Sequence, residues 1–202
     1  MNLGYIVTIK DLINMSKNKI TIIDNYISAI DASRFIDFFN SNKSFSEYST
    51  NYGAQDFSTD AELFDLLRKY EKKVSYTHKN INQLKIEIYP YAALGFKWQD
   101  GWSQHAHIDA VGPGESIEYS AVVYLNDNYD GGEIEFPNQK FIYKPKKLSA
   151  IFFPGKGEEY LHQVNKIVGN DRYTLLFLHT PDIVKSSKML YPQQDSNLRP
   201  TD

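Results

Sequence analysis

Gln104-His105-Ala106-His107-Ile108-Asp109-Ala110 reads as a short extended segment. Side chains on a strand alternate between faces, so His107 and Asp109 point the same way and can share one metal ion. Two imidazoles and one carboxylate suit divalent iron and leave coordination positions free for a co-substrate and O₂. The third donor must then come from a strand remote in sequence. His162, in Tyr160-Leu161-His162-Gln163-Val164, precedes another short apolar stretch and fills that role. Antiparallel sandwiches and barrels bring such remote strands together.

Alone, a His-x-Asp or a downstream His is ordinarily structural. The combination gains meaning from Arg172, ten residues after His162 at the start of the run Arg172-Tyr173-Thr174-Leu175-Leu176-Phe177-Leu178. A guanidinium is a planar fork of donors that matches a carboxylate bidentately, which suits an acidic co-substrate. His105 shares parity with positions 107 and 109, so a cupin-like His-x-His arrangement is also open from the residues alone.

Outward from this segment the chain reads as many short strands. Leu84, Ile86 and Ile88 alternate with polar neighbours, and further strands are expected at 117–125, 133–136, 139–143, 148–153, 160–167 and 172–179. Gly131-Gly132 marks a tight turn or bulge. Residues 110–116, with Gly112-Pro113-Gly114, are either a loop over the site or an ordinary connection, and residues 41–58 form a second polar stretch that suits a lid.

The N-terminal third reads as helical. Ser28-Ala29-Ile30-Asp31 caps a helix with apolar positions Ala32, Phe35, Ile36 and Phe39, and Thr59-Asp60-Ala61-Glu62 forms a capping box ahead of Leu63, Leu66, Leu67, Tyr70 and Val74. The expected class is mainly β with flanking helices (α+β). A single domain spans 1–183, with helical support over about 1–80 and a barrel core over about 81–180, and 184–202 forms a poorly ordered tail.

Composition bounds the function. With 202 residues, 42% of them hydrophobic, the chain can build one substantial core. The absence of cysteine removes disulfides and thiolate metal sites, and suits a reducing compartment. Residues 1–9 lack the apolar core of a signal sequence, and no run is long enough to span a bilayer, so an intracellular protein of bacterial, viral or cytosolic setting is expected. A formal charge of −3 gives no general attraction to nucleic acid, and Lys144-Pro145-Lys146-Lys147 reads as a solvated turn.

Over about residues 22–179 the chain resembles the 2-oxoglutarate and Fe(II)-dependent dioxygenases, in particular the prolyl 4-hydroxylase branch. The landmarks are Ile22-Ile23-Asp24-Asn25-Tyr26-Ile27-Ser28, the metal set, Tyr124-Leu125-Asn126-Asp127, Gly131-Gly132-Glu133 with Phe136-Pro137, and Lys144-Pro145 before Ala150-Ile151-Phe152-Phe153, in family order. The resemblance implies a double-stranded β-helix (jelly-roll) barrel braced by N-terminal helices. It implies that His107, Asp109 and His162 hold Fe(II), with His105 outside the ligand set, and that Arg172 pairs with the distal carboxylate of 2-oxoglutarate. It further implies that Tyr89 and Tyr124 line the co-substrate pocket, although core packing explains either Tyr equally well. O₂ as second co-substrate, ascorbate as reductant and a proline-containing peptide or protein as substrate follow from the same likeness. The alternative is a non-catalytic, cupin-like barrel that binds a metal, a small ligand or a protein partner, since fold alone does not fix function.

Overall fold

Period-two apolar patterning resolves into two antiparallel sheets with helices packed on one outer face. The computed structural model describes residues 19–41, 46–49, 52–55 and 57–187. In chain order the elements are β1 (Thr21–Ile23), α1 (Ala29–Ser41), β2 (Ser46–Ser49), β3 (Tyr52–Gln55), α2 (Ala61–Ile81), β4 (Tyr89–Trp98), β5 (Gln104–His107), β6 (Tyr119–Tyr124), β7 (Asp130–Gly131), β8 (Ile134–Phe136), β9 (Phe141–Tyr143), β10 (Ala150–Pro154), β11 (His162–Val164), β12 (Ile167–Val168) and β13 (Arg172–Thr180). The major sheet has the order β1-β10-β6-β13-β4-β3-β2, the minor sheet β5-β11-β8-β9, and β12 pairs with β7. This mainly β architecture with two helices is that of the double-stranded β-helix.

Alternation along β13 explains how the layers assemble. Tyr173, Leu175 and Phe177 join the helix-facing core, whereas Arg172, Thr174 and Leu176 line a cavity between the sheets. The neighbouring strands divide the same way: Ala121, Val123 and Phe152 face the helices, while Val122 and Phe153 face the cavity. On β4, Gly95 lies on the helix side because no side chain fits there. A Cβ at Gly95 would stand 2.3 Å from Phe57 Cζ and 2.7 Å from Phe39 Cζ.

Both helices sit against the major sheet with the expected stripes inward. Helix α1 buries Ala32, Phe35 and Phe39, and α2 buries Leu63, Leu66, Leu67, Tyr70 and Val74. The Ser28 hydroxyl accepts from the Asp31 amide at 3.1 Å. In α2 the cap is Asp60, whose carboxylate accepts from the Leu63 amide at 3.0 Å, so the box anticipated from Thr59 is shifted by one residue. Tyr70 donates to Asp31 at 2.6 Å and ties the two helices together.

Three sequence expectations change. The N-terminal third is not purely helical, since β1, β2 and β3 complete both margins of the major sheet. The backbone of β2 and β3, within the stretch assigned to a lid, extends that sheet beyond β4. The alternating residues 84–88 form an irregular connection with Ile86 half exposed, and the strand begins at Tyr89 instead. Residues 1–18, within the expected helical support, and 188–202, within the expected C-terminal tail, lie outside the described residues. Among the described residues, no helix is long and apolar enough to cross a membrane.

Candidate metal centre

His107 and His162 are direct cross-strand partners in the β5–β11 pair, which sets their ring centroids 4.3 Å apart with the planes tilted by 52°. Asp109 follows β5 by two residues, held where the Ala110 amide donates to the Gly155 carbonyl at 2.9 Å. One ligand atom from each of His107, Asp109 and His162 lies within 4.8 Å of the others. His107 Nε2 is 3.6 Å and His162 Nε2 3.9 Å from Asp109 Oδ1, so both ε-nitrogens turn toward the same carboxylate oxygen. Among the described residues this is the one group of three or more such side chains close enough to hold a metal ion.

Backbone carbonyls fix how each imidazole presents itself. His107 Nδ1 donates to the His105 carbonyl at 3.0 Å, and His162 Nδ1 donates to the Tyr160 carbonyl at 3.0 Å. A carbonyl only accepts, so each Nδ1 carries the proton and each Nε2 keeps its lone pair for a metal. The far oxygen of Asp109 is also held, because the Ser120 hydroxyl donates to Oδ2 at 2.5 Å. Such supporting bonds set ligand orientation in metal sites.

The electrostatics favour an anionic Asp109. Burial raises its carboxyl pKa, but the bond to His107, the neighbouring His162 imidazole and the Ser120 hydroxyl outweigh burial and hold it below the usual carboxylate range. Burial and the neighbouring His107 lower His162 despite Asp109, which favours the neutral ligand form. At His107 burial also lowers the pKa, and there the bonds to Asp109 and the His105 carbonyl prevail and raise it. His107 is the more open of the two, with 30% of its side chain exposed against 7% for His162, so the site opens on the His107 side.

Behind the donors lies a cavity of about 140 Å³ between the sheets, walled by Phe96, Trp98, Val122, Ile134, Phe153 and Leu176. Arg172 also lines it, only 2% exposed, with its guanidinium 5.2 Å from the Tyr124 ring and 5.7 Å from the Trp98 ring. Its Nε and Nη1 have no hydrogen-bond partner, and no carboxylate among the described residues pairs with it. A buried, uncompensated cation is costly, and an acidic ligand relieves that cost.

The remaining candidates separate. Tyr124 is fully buried beside Arg172 and is not among the residues lining the cavity. Tyr89 begins β4 opposite Thr180, is half-buried, and is not among the residues lining the cavity. His105 is exposed and serves His107 through its carbonyl. Residues 110–116 hold a short turn, with Gly114 bonded to Val111 and Ile117 to Gly114. Sequence reasoning did not single out Gln104, Ser120 or Trp98. Gln104 Nε2 lies 3.2 Å from His107 Nε2, and the Trp98 indole donates to Thr174 Oγ1 at 2.8 Å. Gln104 and Ser120 carry no motif of their own, and parity would have put Gln104 on the face opposite His107; a register shift between the His162–His107 and Val164–Gln104 pairs brings it beside that imidazole.

Residues 94–178 match the model of the 2OG-Fe(II) oxygenase superfamily, a stretch that contains His107, Asp109, Tyr124, His162 and Arg172. The fold is similar to that of the viral collagen prolyl hydroxylase from Paramecium Bursaria Chlorella virus-1, solved as its 2OG complex. That comparison gives TM-score 0.66 and 19% identity, covering 82% of this chain and 97% of that one. It is also similar to a 2OG-Fe(II) oxygenase family oxidoreductase from Burkholderia pseudomallei, with TM-score 0.68, 15% identity, and 90% and 92% of the two chains covered. A third similar structure is a Trichoplax adhaerens prolyl hydroxylase in complex with a hypoxia inducible factor peptide fragment, with TM-score 0.65, 16% identity and 91% of each chain covered. No curated protein sequence matches the chain. In sequence and in fold, the chain resembles the 2-oxoglutarate and Fe(II)-dependent dioxygenases, with prolyl 4-hydroxylases among its structural neighbours.

Proposed function

We propose that the chain works as a 2-oxoglutarate and Fe(II)-dependent dioxygenase, in keeping with its superfamily match over residues 94–178, and that it hydroxylates proline in a peptide. The observation that carries this reading is one cavity holding both a two-His, one-carboxylate donor set and a buried arginine without an anionic partner. The first fits iron with positions to spare, and the second fits the far end of a dicarboxylic oxo acid.

In this reading His107 and His162 offer Nε2, Asp109 offers Oδ1, and Ser120 keeps the carboxylate from rotating. Bound iron, 2-oxoglutarate and O₂ supply the oxidising power to hydroxylate an unactivated C–H bond, with succinate and CO₂ as co-products. Arg172 anchors the co-substrate through its distal carboxylate. The apolar walls from Phe96 to Leu176 keep bulk water from the reacting centre. A peptide approaches over the exposed side of His107.

Purified protein incubated with Fe(II), 2-oxoglutarate, ascorbate and a panel of proline-containing peptides tests this. Succinate together with an oxygen-atom mass gain on a peptide is the expected result. Succinate without peptide oxidation retains the dioxygenase and removes the prolyl assignment, and no succinate with any peptide removes both.

A further inference from the structure

Gln104 lies three residues before His107, so regular alternation would turn its side chain away from the metal-ligand face. A break in the register of β5 reverses this. His107 pairs with His162 and Gln104 with Val164, so three steps along β5 answer to two along β11. Such bulges re-aim a side chain and gather beside active sites. This one leaves His105 and Ala106 exposed and brings the half-buried Gln104 into the wall of the cavity.

The amide delivered by the bulge meets one particular atom, His107 Nε2, at 3.2 Å from Gln104 Nε2. Because His107 Nδ1 donates to the His105 carbonyl, Nε2 is the bare nitrogen and the Gln104 amide donates to it. The two imidazoles are therefore oriented by different means. His162, with 7% of its side chain exposed, packs against the rings of Phe136 and Phe153, whose centres lie 5.4 Å and 4.9 Å from its own. His107 stands on the border strand with 30% of its side chain exposed, and the Gln104 amide does for it what packing does for His162.

We infer that Gln104 is a positioning residue of the metal centre: its amide takes the His107 lone pair that a metal ion needs, and yields it when the ion arrives. The inference rests on the metal centre of the proposed dioxygenase reading. One lone pair forms one bond, so the N–H···N hydrogen bond and a metal–nitrogen bond at Nε2 exclude each other. A bond that exists only before loading stabilises only the metal-free protein, and an equilibrium moves by differential interaction alone. Gln104 thus holds His107 in its ligating tautomer and weakens metal affinity in doing so. Loading then releases an uncharged donor and acceptor on the side where the site opens.

Gln104→Met keeps the length of the side chain and removes the donor, so it tests this in anaerobic Fe(II) titrations and in Zn(II) titrations against a metal indicator. Both Kd values should fall roughly two- to tenfold, the equivalent of one hydrogen bond. In the metal-free variant the nitrogen NMR resonance of His107 Nε2 should also move downfield, because that atom no longer accepts a hydrogen bond. An unchanged Kd overturns the inference by making the amide a bystander, and a raised Kd overturns it by placing Gln104 among the groups that support the loaded centre. A resonance that stays in place overturns it as well. Wild-type protein that takes up neither ion defeats the metal centre itself, and the inference with it. Failure of the iron-loaded wild type to bind 2-oxoglutarate would instead remove the dioxygenase reading and leave a lowered Kd in the variant standing.

Discussion

The Ser120 hydroxyl donates to Asp109 Oδ2 at 2.5 Å, which ties a residue on central strand β6 to the carboxylate beside the two histidines. Ser120 is fully buried, so no solvent competes for this bond. Ser120→Ala should raise the Fe(II) Kd roughly 10–100-fold, the range seen for supporting partners of metal ligands. Anaerobic competition with a metal indicator measures this, and an unchanged Kd would free Asp109 from dependence on Ser120.

Arg172→Ala should separate iron from co-substrate. Removing the buried guanidinium takes away the anchor for an acidic ligand, so 2-oxoglutarate affinity should fall by roughly 2–5 kcal/mol while Fe(II) affinity stays near wild type. Parallel titrations of metal and oxo acid provide the comparison. Loss of both together would place Arg172 among the residues that maintain the metal centre.

His105 and His107 should behave oppositely despite their parity. His105 contributes its carbonyl, which survives His105→Ala, so that variant should keep Fe(II) within about threefold of wild type, a shift under ~1 kcal/mol. His107→Ala should lose iron at micromolar metal. Metal content after gel filtration distinguishes them, and comparable loss in both would make His105 a ligand.

A second group of buried histidines sets the acid limit of stability. His78 is fully buried on α2 against Tyr119, Phe152 and His179, with His179 in turn 3.1 Å from the buried Glu71. Burial, reinforced by the neighbouring His179, lowers the His78 pKa well below its ordinary value. The unfolded chain therefore takes up a proton near pH 6.5 that the folded chain refuses. The His78 contribution to stability is flat above about pH 7.5 and falls below about pH 6.5 by up to about 1.4 kcal/mol per pH unit. Urea midpoints measured between pH 5 and 8 test the slope. His78→Phe should flatten it, because a phenyl ring keeps the aromatic contacts and takes up no proton. An undiminished slope in that variant would locate the acid limit elsewhere.

The convergence of His107, Asp109 and His162 was legible because a shared metal site would constrain residue type and parity at once, as in His107-Ile108-Asp109 and the lone His162. The helix stripes were legible for the same kind of reason, with Phe35, Phe39, Leu67 and Val74 all inward. Strand β4 was not. Its Tyr-Pro-Tyr-Ala-Ala-Leu-Gly-Phe-Lys-Trp sequence carries Pro90, two alanines and Gly95, all poor β formers, and its small residues answer to helix packing. Leu84, Ile86 and Ile88 offered better alternation but had no neighbouring strand to join.

Strand β5 is four residues long, forms the border of the minor sheet and has β11 as its single neighbour. An ion gripped by His107 on that border and His162 on its neighbour would act as a rivet across the seam. Chelation would then loosen the rim of the sheet as well as empty the centre, and amide hydrogens over residues 104–107 would exchange faster. Loading and local order at this margin would rise and fall together.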